Sequence, residues 1–448
     1  MATTVSRRRF LVMGGLSTLA AILPRTAAAA EPVSRAAAAI IQTTGSQRMK
    51  VYFSDPQFDY QLLRLLGATP DGGADIGECL TTAQRITEGD FESWYSEWLK
   101  TAQRLNALAD AALKAGHTVS AREAYLRASS YYRSAEFYLH GNPDDPRIQS
   151  TYDASIACFR QYNALSTHRA TAVEIPYEDT TLPGYFYAVP DTQGTRRPTL
   201  IAQTGFDGTQ EELLGTALAA VRRGYHCLTF EGPGQGRVIR KQGRPFRPDW
   251  EKVVTPVVDY LLTRPDVDPA KIALYGLSFG GYLAPRAAAF EHRLAAVIAN
   301  GGVFRLFDQH SVPPDTTVEE TTEWARSQPD AFNAQMEQAM QANTTLRWGI
   351  QHGMYVFQAA SPAEYWLKGV EYTLEGLAER ITSPTLVIDS ENDRSFPGQP
   401  QQLYQTLTCP KTFLLFTADE GAGEHCQVGA GLLSAARIFD WLDETLKP

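Results

Sequence analysis

Apolar residues recur at helical spacing from about residue 88 to residue 165. From residue 171 they switch to short solid runs and alternation. The first pattern predicts a helical region. Asp90 can cap a helix that carries Trp94, Trp98, Leu105, Leu108 and Ala112 on roughly one face and ends before Gly116. Ser120-Ala121-Arg122-Glu123 reads as a capping box opening a second helix, rich in aromatic residues at Tyr125, Tyr131, Tyr132, Phe137 and Tyr138. Asp145-Pro146 starts a third, with Ile148, Tyr152, Ile156 and Phe159 at helical spacing. Residues 31–87 give mixed cues.

The second pattern predicts strands at 173–175, 184–188, 199–202, 225–230, 272–275, 294–299, 384–388 and 412–416. Helices are expected at 213–223, 250–263 and 432–446. Strands alternating with helices imply an α/β fold, a mostly parallel central sheet with helices on both faces. Residues 305–378 interrupt the alternation with a helical insert after the sixth strand, where a lid would hang over the carboxyl ends of the strands. The expected divisions are 1–30, a leader; 31–165, a helical cap region; and 166–448, a catalytic domain carrying the insert.

The leader reading comes from composition. Residues 1–30 hold four arginines and no acid. Ser6-Arg7-Arg8-Arg9-Phe10-Leu11 matches a twin-arginine export signal, and the apolar stretch 11–23 is too short for a stable membrane span. Thr26-Ala27-Ala28-Ala29-Ala30 offers small residues for cleavage before Glu31. The expectation is a protein exported to the periplasm or beyond, with no stable membrane anchor. The whole chain of 448 residues has a net charge of −9, and removal of the leader makes it more acidic. That balance disfavours nucleic acid and anionic membrane as partners and leaves a small-molecule substrate. Five scattered cysteines form no C-x-x-C pair, and no histidine–acid metal motif is present, so neither metal nor cofactor is expected.

Candidate chemistry centres on Gly276-Leu277-Ser278-Phe279-Gly280. An apolar run precedes it and a helix-like run follows, which is the strand–turn–helix setting that exposes a serine hydroxyl on a strained turn. A serine needs a base, usually a histidine oriented by a carboxylate. Asp393 lies in the loop after the strand at 384–388, with Asp389 and Glu391 as nearby alternatives. Of the eight histidines, only His425 follows the last strand. Backbone N–H groups of Phe279 and of Phe206, in Gln203-Thr204-Gly205-Phe206-Asp207-Gly208, are the candidate oxyanion donors. Tyr95, Tyr131, Tyr132 and His352 are candidate pocket residues; His226 and His310 read as structural. Gly232-Pro233-Gly234-Gln235-Gly236 lacks the third glycine of a dinucleotide motif, because position 237 is arginine. Arg237 and that loop read as a wall of the active site, and Glu211 and Glu212 as caps of the following helix.

The stretches 230–236, 276–281, 205–208 and 421–427 resemble α/β-hydrolases related to 2,6-dihydroxypseudooxynicotine hydrolase, a group whose relatives include fungal polyketide-shortening hydrolases and FrsA-like esterases. The likeness covers about residues 85–447, and Asp90-Phe91-Glu92-Ser93-Trp94-Tyr95 and residues 124–131 resemble that group's N-terminal helical cap. It implies a Ser278–Asp393–His425 triad under the cap and, in many members, a homodimer. The implied substrates are esters, amides or β-dicarbonyl compounds cut at a carbon–carbon bond. An acyltransferase would use the same triad with another acceptor. A non-catalytic binding protein on this scaffold would usually lack a triad member, and here all three are present.

Overall fold

The computed structural model describes residues 48–190 and 194–446. The segment read as an export leader lies outside the described residues. Among these, five helices precede the sheet: α1 (Pro56–Leu66), α2 (Ile76–Ala83), α3 (Phe91–Lys114), α4 (Thr118–Glu136) and α5 (Pro146–Leu165). Helices α1 and α2 occupy the stretch whose sequence cues were mixed. Asp90 caps α3 by accepting from the N–H groups of Glu92 and Ser93, and Asp145 does the same for Arg147 at the start of α5. Helix α4 begins two residues before Ser120, with His117 at its cap position and no side-chain cap. The capping box expected at Ser120–Glu123 is therefore an ordinary interior turn.

The sheet follows: β1 (Thr171–Tyr177), β2 (Thr180–Tyr187), β3 (Arg197–Gln203), β4 (His226–Phe230), β5 (Val267–Leu277), β6 (Ala296–Asn300), β7 (Thr385–Ser390) and β8 (Lys411–Phe416). Their spatial order is β1-β2-β4-β3-β5-β6-β7-β8. β2 pairs antiparallel with β1 and β4, and the strands from β4 to β8 run parallel. The intervening helices are α6 (Leu214–Arg222), α7 (Gly236–Gln242), α8 (Glu251–Leu262) and α9 (Gly280–Ala288). The insert between β6 and β7 holds α10 (Val318–Ser327), α11 (Pro329–Ala342), α12 (Thr344–Phe357) and α13 (Pro362–Gly369). Helices α14 (Gln399–Thr406) and α15 (Gly431–Leu446) complete the chain.

Strand periodicity divides the core. Leu200, Ala202, Ala273, Tyr275, Ala296, Ile298, Leu386 and Ile388 face one side, where they meet α6, α15 and the N-terminal helices. Ile201, Leu274, Val297, Ala299 and Val387 face the other, against Val253, Val254, Val257 and Val258 of α8 and Tyr282 and Leu283 of α9. The N-terminal helices thus share one core with the sheet. Its aromatic centre is Phe58, Trp94 and Tyr138, with the Trp94 indole N–H donating to the Ser134 carbonyl at 2.9 Å. Helices α10, α11 and α13 enclose a small third core of Val312, Ala325, Phe332, Ala363 and Trp366. No helix among the described residues is long and apolar enough to cross a membrane.

Candidate active site

Ser278 directly follows β5, with φ +63°. That region costs a residue with a Cβ about 1–3 kcal/mol, so the surroundings must hold it. Its N–H donates to the Asn300 carbonyl at 2.8 Å, and its own carbonyl accepts from Gly281 at 2.7 Å. The turn also needs bare backbone nearby. A Cβ on Gly276 would collide with the Gly280 carbonyl, and one on Gly280 would lie 2.8 Å from the Thr204 oxygen.

His425 arrives from the loop after β8 and Asp393 from the loop after β7. His425 Nε2 lies 2.8 Å from Ser278 Oγ, and His425 Nδ1 lies 2.5 Å from Asp393 Oδ2. In the neutral ring, Nδ1–H donates to the carboxylate and Nε2 accepts the serine proton. Asp393 also accepts from the Ser395 N–H at 2.8 Å. Burial would push the Asp393 carboxyl up, but the His425 charge and the donated hydrogen bonds hold it below the usual range. Burial would push the His425 imidazole down; the charge of Asp393 overrides this and raises it well above 6.5. The alternatives in the Asp393 loop are engaged elsewhere: Asp389 accepts from Gln401 and Glu391 from the Ala418 N–H, each at 2.7 Å.

A buried amide pair ties the His425 loop to the strand ends. Cys426 and Gln427 both have φ +55°. The Gln427 side chain exchanges hydrogen bonds with the Asn300 side chain at 2.8 and 3.0 Å and donates to Ser390 at 2.9 Å. Asn300 also donates to the Tyr275 hydroxyl at 2.9 Å. The residue whose carbonyl holds Ser278 therefore also anchors the loop that carries His425. Tyr60 of α1 closes over this loop, its hydroxyl donating to the His425 carbonyl at 3.3 Å.

The loop after β3 is clamped from several sides. Gly205 packs against the serine turn so closely that a Cβ there would lie 2.5 Å from the Phe279 nitrogen. Neither the Phe206 nor the Phe279 N–H donates a hydrogen bond among the described residues. Gln235, 1 % exposed, donates to the carbonyls of Thr204 and Gly205 at 2.9 and 3.0 Å. In a trans peptide the C=O and the next N–H point in opposite directions, so holding the Gly205 oxygen aims the Phe206 N–H the other way. Arg64 of α1 pairs with Asp207 at 2.9 Å and Glu212 at 3.0 Å; Arg133 of α4 pairs with Glu212 at 2.8 Å. Burial works against ionisation of Asp207, but these arginines bring it down to about 2.

The sequence-predicted pocket residues are dispersed. Tyr131 is buried between helices, donating to Glu78 at 2.9 Å and packing on Trp98. Tyr132 is buried on the same helix, and Tyr95 lies under the Arg147 guanidinium. These contacts hold the helical region together and do not bring the three tyrosines to Ser278. His352 is 2 % exposed and does reach the site's edge, with Nε2 2.9 Å from the Phe206 carbonyl oxygen. Arg237 is not a wall of the site: its side chain pairs with Glu174 of β1. Its neighbour Gln235 reaches the β3 loop instead. Glu212 forms a capping box with Thr209, while Glu211 is buried. His226 is structural, with Nδ1 accepting from Val189 and Nε2–H donating to the Asp266 carbonyl. His310 is exposed beside Asp308.

Sequence reasoning missed Gln235, Asn300, Gln427, Tyr60, Arg64 and Arg133. The glycines around 235 were a usable signal for a close approach; the helical arginines gave none. Among the described residues, no group of three or more histidine, cysteine or acidic side chains is placed to hold a metal ion.

The alpha/beta hydrolase family model matches residues 204–430. A hydrolase, acrC, from Aspergillus aculeatus is 37% identical over 423 residues, covering 88% of this chain and 97% of that protein. A 20-hydroxy-prefusarin hydrolase from Gibberella moniliformis is 35% identical over 413 residues, covering 88% and 98%. The crystal structure of a 2,6-dihydroxy-pseudo-oxynicotine hydrolase superposes with a TM-score of 0.66 at 22% identity, over 85% of this chain and 95% of that one. The chain belongs to the α/β-hydrolase family.

Proposed function

We propose that this α/β-hydrolase is a serine hydrolase that cleaves an ester, an amide or a β-dicarbonyl carbon–carbon bond of a small or medium organic substrate through an acyl-enzyme on Ser278. The observation that carries this reading is the single imidazole of His425 spanning Ser278 Oγ and Asp393 Oδ2. In the proposed reaction, Ser278 Oγ bonds to the acyl carbon as its proton passes to His425 Nε2. The oxyanion faces the free N–H groups of Phe206 and Phe279. Collapse breaks the bond to the leaving group, which takes the proton from Nε2 as an alcohol, an amine or the enol of a ketone. Water then repeats the sequence on the acyl-enzyme and releases the acid and Ser278. The names of the relatives, which include a 20-hydroxy-prefusarin hydrolase, support an organic small-molecule substrate. The leader motif supports action outside the inner membrane.

A fluorophosphonate probe should label the wild-type protein and not Ser278→Ala. Equal labelling of both would end the proposal. Screening the purified protein against esters, amides and β-diketones then identifies the bond cleaved.

A further inference from the structure

A chain of buried polar groups runs from the helical cap to the loop after β3. Arg240 of α7 makes a two-point ion pair with Glu136 of α4, Nε to Oε1 at 2.7 Å and Nη2 to Oε2 at 2.9 Å. Glu136 Oε1 lies 2.9 Å from His140 Nε2, His140 Nδ1 lies 2.9 Å from His352 Nδ1, and His352 Nε2 lies 2.9 Å from the Phe206 carbonyl oxygen. Glu136, His140 and His352 are each at most 4 % exposed, so water does not substitute for these partners.

Donor and acceptor roles along this chain are forced. A carbonyl oxygen only accepts, so His352 Nε2 must carry a proton. A carboxylate held at both oxygens by a guanidinium also only accepts, so His140 Nε2 must carry one. The two facing Nδ1 atoms need one proton between them. That makes three protons on two rings, one more than two neutral imidazoles hold. Glu136 is not the alternative carrier: burial opposes its charge, but Arg240 and His140 hold the carboxyl far below its usual range. The extra proton belongs to the ring beside the carboxylate: His140 Nε2 faces Glu136 Oε1, whereas His352 Nε2 faces a neutral carbonyl oxygen and burial pushes its imidazole down. His352 is therefore neutral, with its proton on Nε2.

We propose that His140, locked as an imidazolium between Glu136 and His352, fixes the Nε2–H tautomer of His352, and that His352 thereby positions the Phe206 backbone for the oxyanion. The second half rests on the serine-hydrolase reading; the first does not. His352 is a positioning residue, acting through the peptide that follows Phe206, whereas Gln235 holds the peptide that precedes it. The groups facing the pair are Glu136 and, at 3.4 Å, Arg240 Nη2 beside His140; the Tyr355 ring of α12 stacked on His140 at 4.5 Å; and Asp207 next in the chain to Phe206. Tyr152 of α5 lies under the Arg240 guanidinium at 5.0 Å. Trp348 stacks on His352, with ring centroids 5.8 Å apart.

Two measurements test this. Long-range proton–nitrogen correlation spectra of the histidine-labelled full chain at pH 7, assigned with His140→Gln and His352→Gln, should give two signatures. One is a ring protonated at both nitrogens, His140; the other is a neutral ring protonated at Nε2, His352. A neutral His140, or a proton on Nδ1 of His352, would overturn the proposal. Fluorophosphonate labelling should be about 100-fold slower in His352→Ala, since a displacement near 1 Å costs about that much. In His352→Gln, whose amide N–H can reach the Phe206 oxygen, it should return to within about 10-fold of wild type. Equal rates in all three proteins, or equal loss in both variants, would refute the positioning role. If the wild type does not label at all, the serine-hydrolase reading fails, and the spectra still decide the state of the histidine pair.

Discussion

His425 turns its Nδ1 to Asp393 at 2.5 Å, while the two other acids of that loop face a glutamine side chain and a backbone N–H. One carboxylate therefore sets the tautomer of His425. Asp393→Asn should lower kcat by about 10⁴-fold with little change in KM, because the amide favours the wrong tautomer. Asp389→Asn should stay within about threefold of wild type, well short of one factor of ten. Steady-state kinetics on any turned-over ester decides between them; a large loss in Asp389→Asn would move the role.

The pH profile follows from the same pair. In the proposed reaction His425 must be neutral to take the serine proton, and Asp393 raises its imidazole well above 6.5. kcat/KM should therefore be lowest in acid and climb as pH rises through the His425 value, with a midpoint above 6.5. Asp393→Asn should shift that midpoint downward. A rate that falls over this window would contradict the assignment.

The clamp on the loop after β3 can be removed in two ways. Gln235→Ala frees the Gly205 carbonyl, and Gly205→Ala forces a methyl against the Phe279 nitrogen. Each should lower kcat by about 10²–10³-fold while KM stays nearly constant, the pattern of a lost oxyanion donor. Circular dichroism should show both variants folded.

Glu211 and Glu231 lie buried near one another, and burial followed by their mutual repulsion raises the Glu211 carboxyl to about 8. A carboxyl raised in the fold contributes stability that is complete below its unfolded value, near 4.5, and lost as pH rises through the folded value. The protein should thus lose stability between about pH 5 and pH 8. Glu211→Gln should raise Tm by about 5 °C at pH 9 and have little effect at pH 5, by thermal unfolding. An equal shift at both pH values would exclude the titration.

The export-signal reading of residues 1–30 makes a separate prediction. Replacing Arg7 and Arg8 with lysine should leave the protein in the cytoplasm, and the N-terminus of the exported wild type should begin near Glu31. Cell fractionation and N-terminal mass spectrometry read both.

The sheet was legible because its inner strands β3, β4, β6 and β7 are buried on both faces and read as short solid apolar runs. Helices α1 and α2 were not. In α1 three polar residues, Gln57, Asp59 and Gln61, point inward, and Asp59 accepts the N–H groups of Val51, Tyr52 and Phe53, so the apolar period is blurred. Ser120 matched a capping pattern, yet α4 starts earlier: Thr118 and Val119 are already helical, and His117 takes the cap position. The meeting of Ser278, Asp393 and His425 was readable from their positions after strands, because loops at the same ends of neighbouring parallel strands converge. Arg64 and Arg133 were not readable, since each meets its partners across more than seventy residues of chain and leaves no local spacing.

The small core shared by α10, α11 and α13 is distinct from the two that flank the sheet, and α12 of the insert touches the loop bearing Phe206 through Trp348 and His352. Part of the insert is therefore held together by its own apolar contacts rather than by the sheet. Substitutions at Phe332 or Trp366 can loosen that part while the strand ends carrying Ser278, Asp393 and His425 keep their own packing.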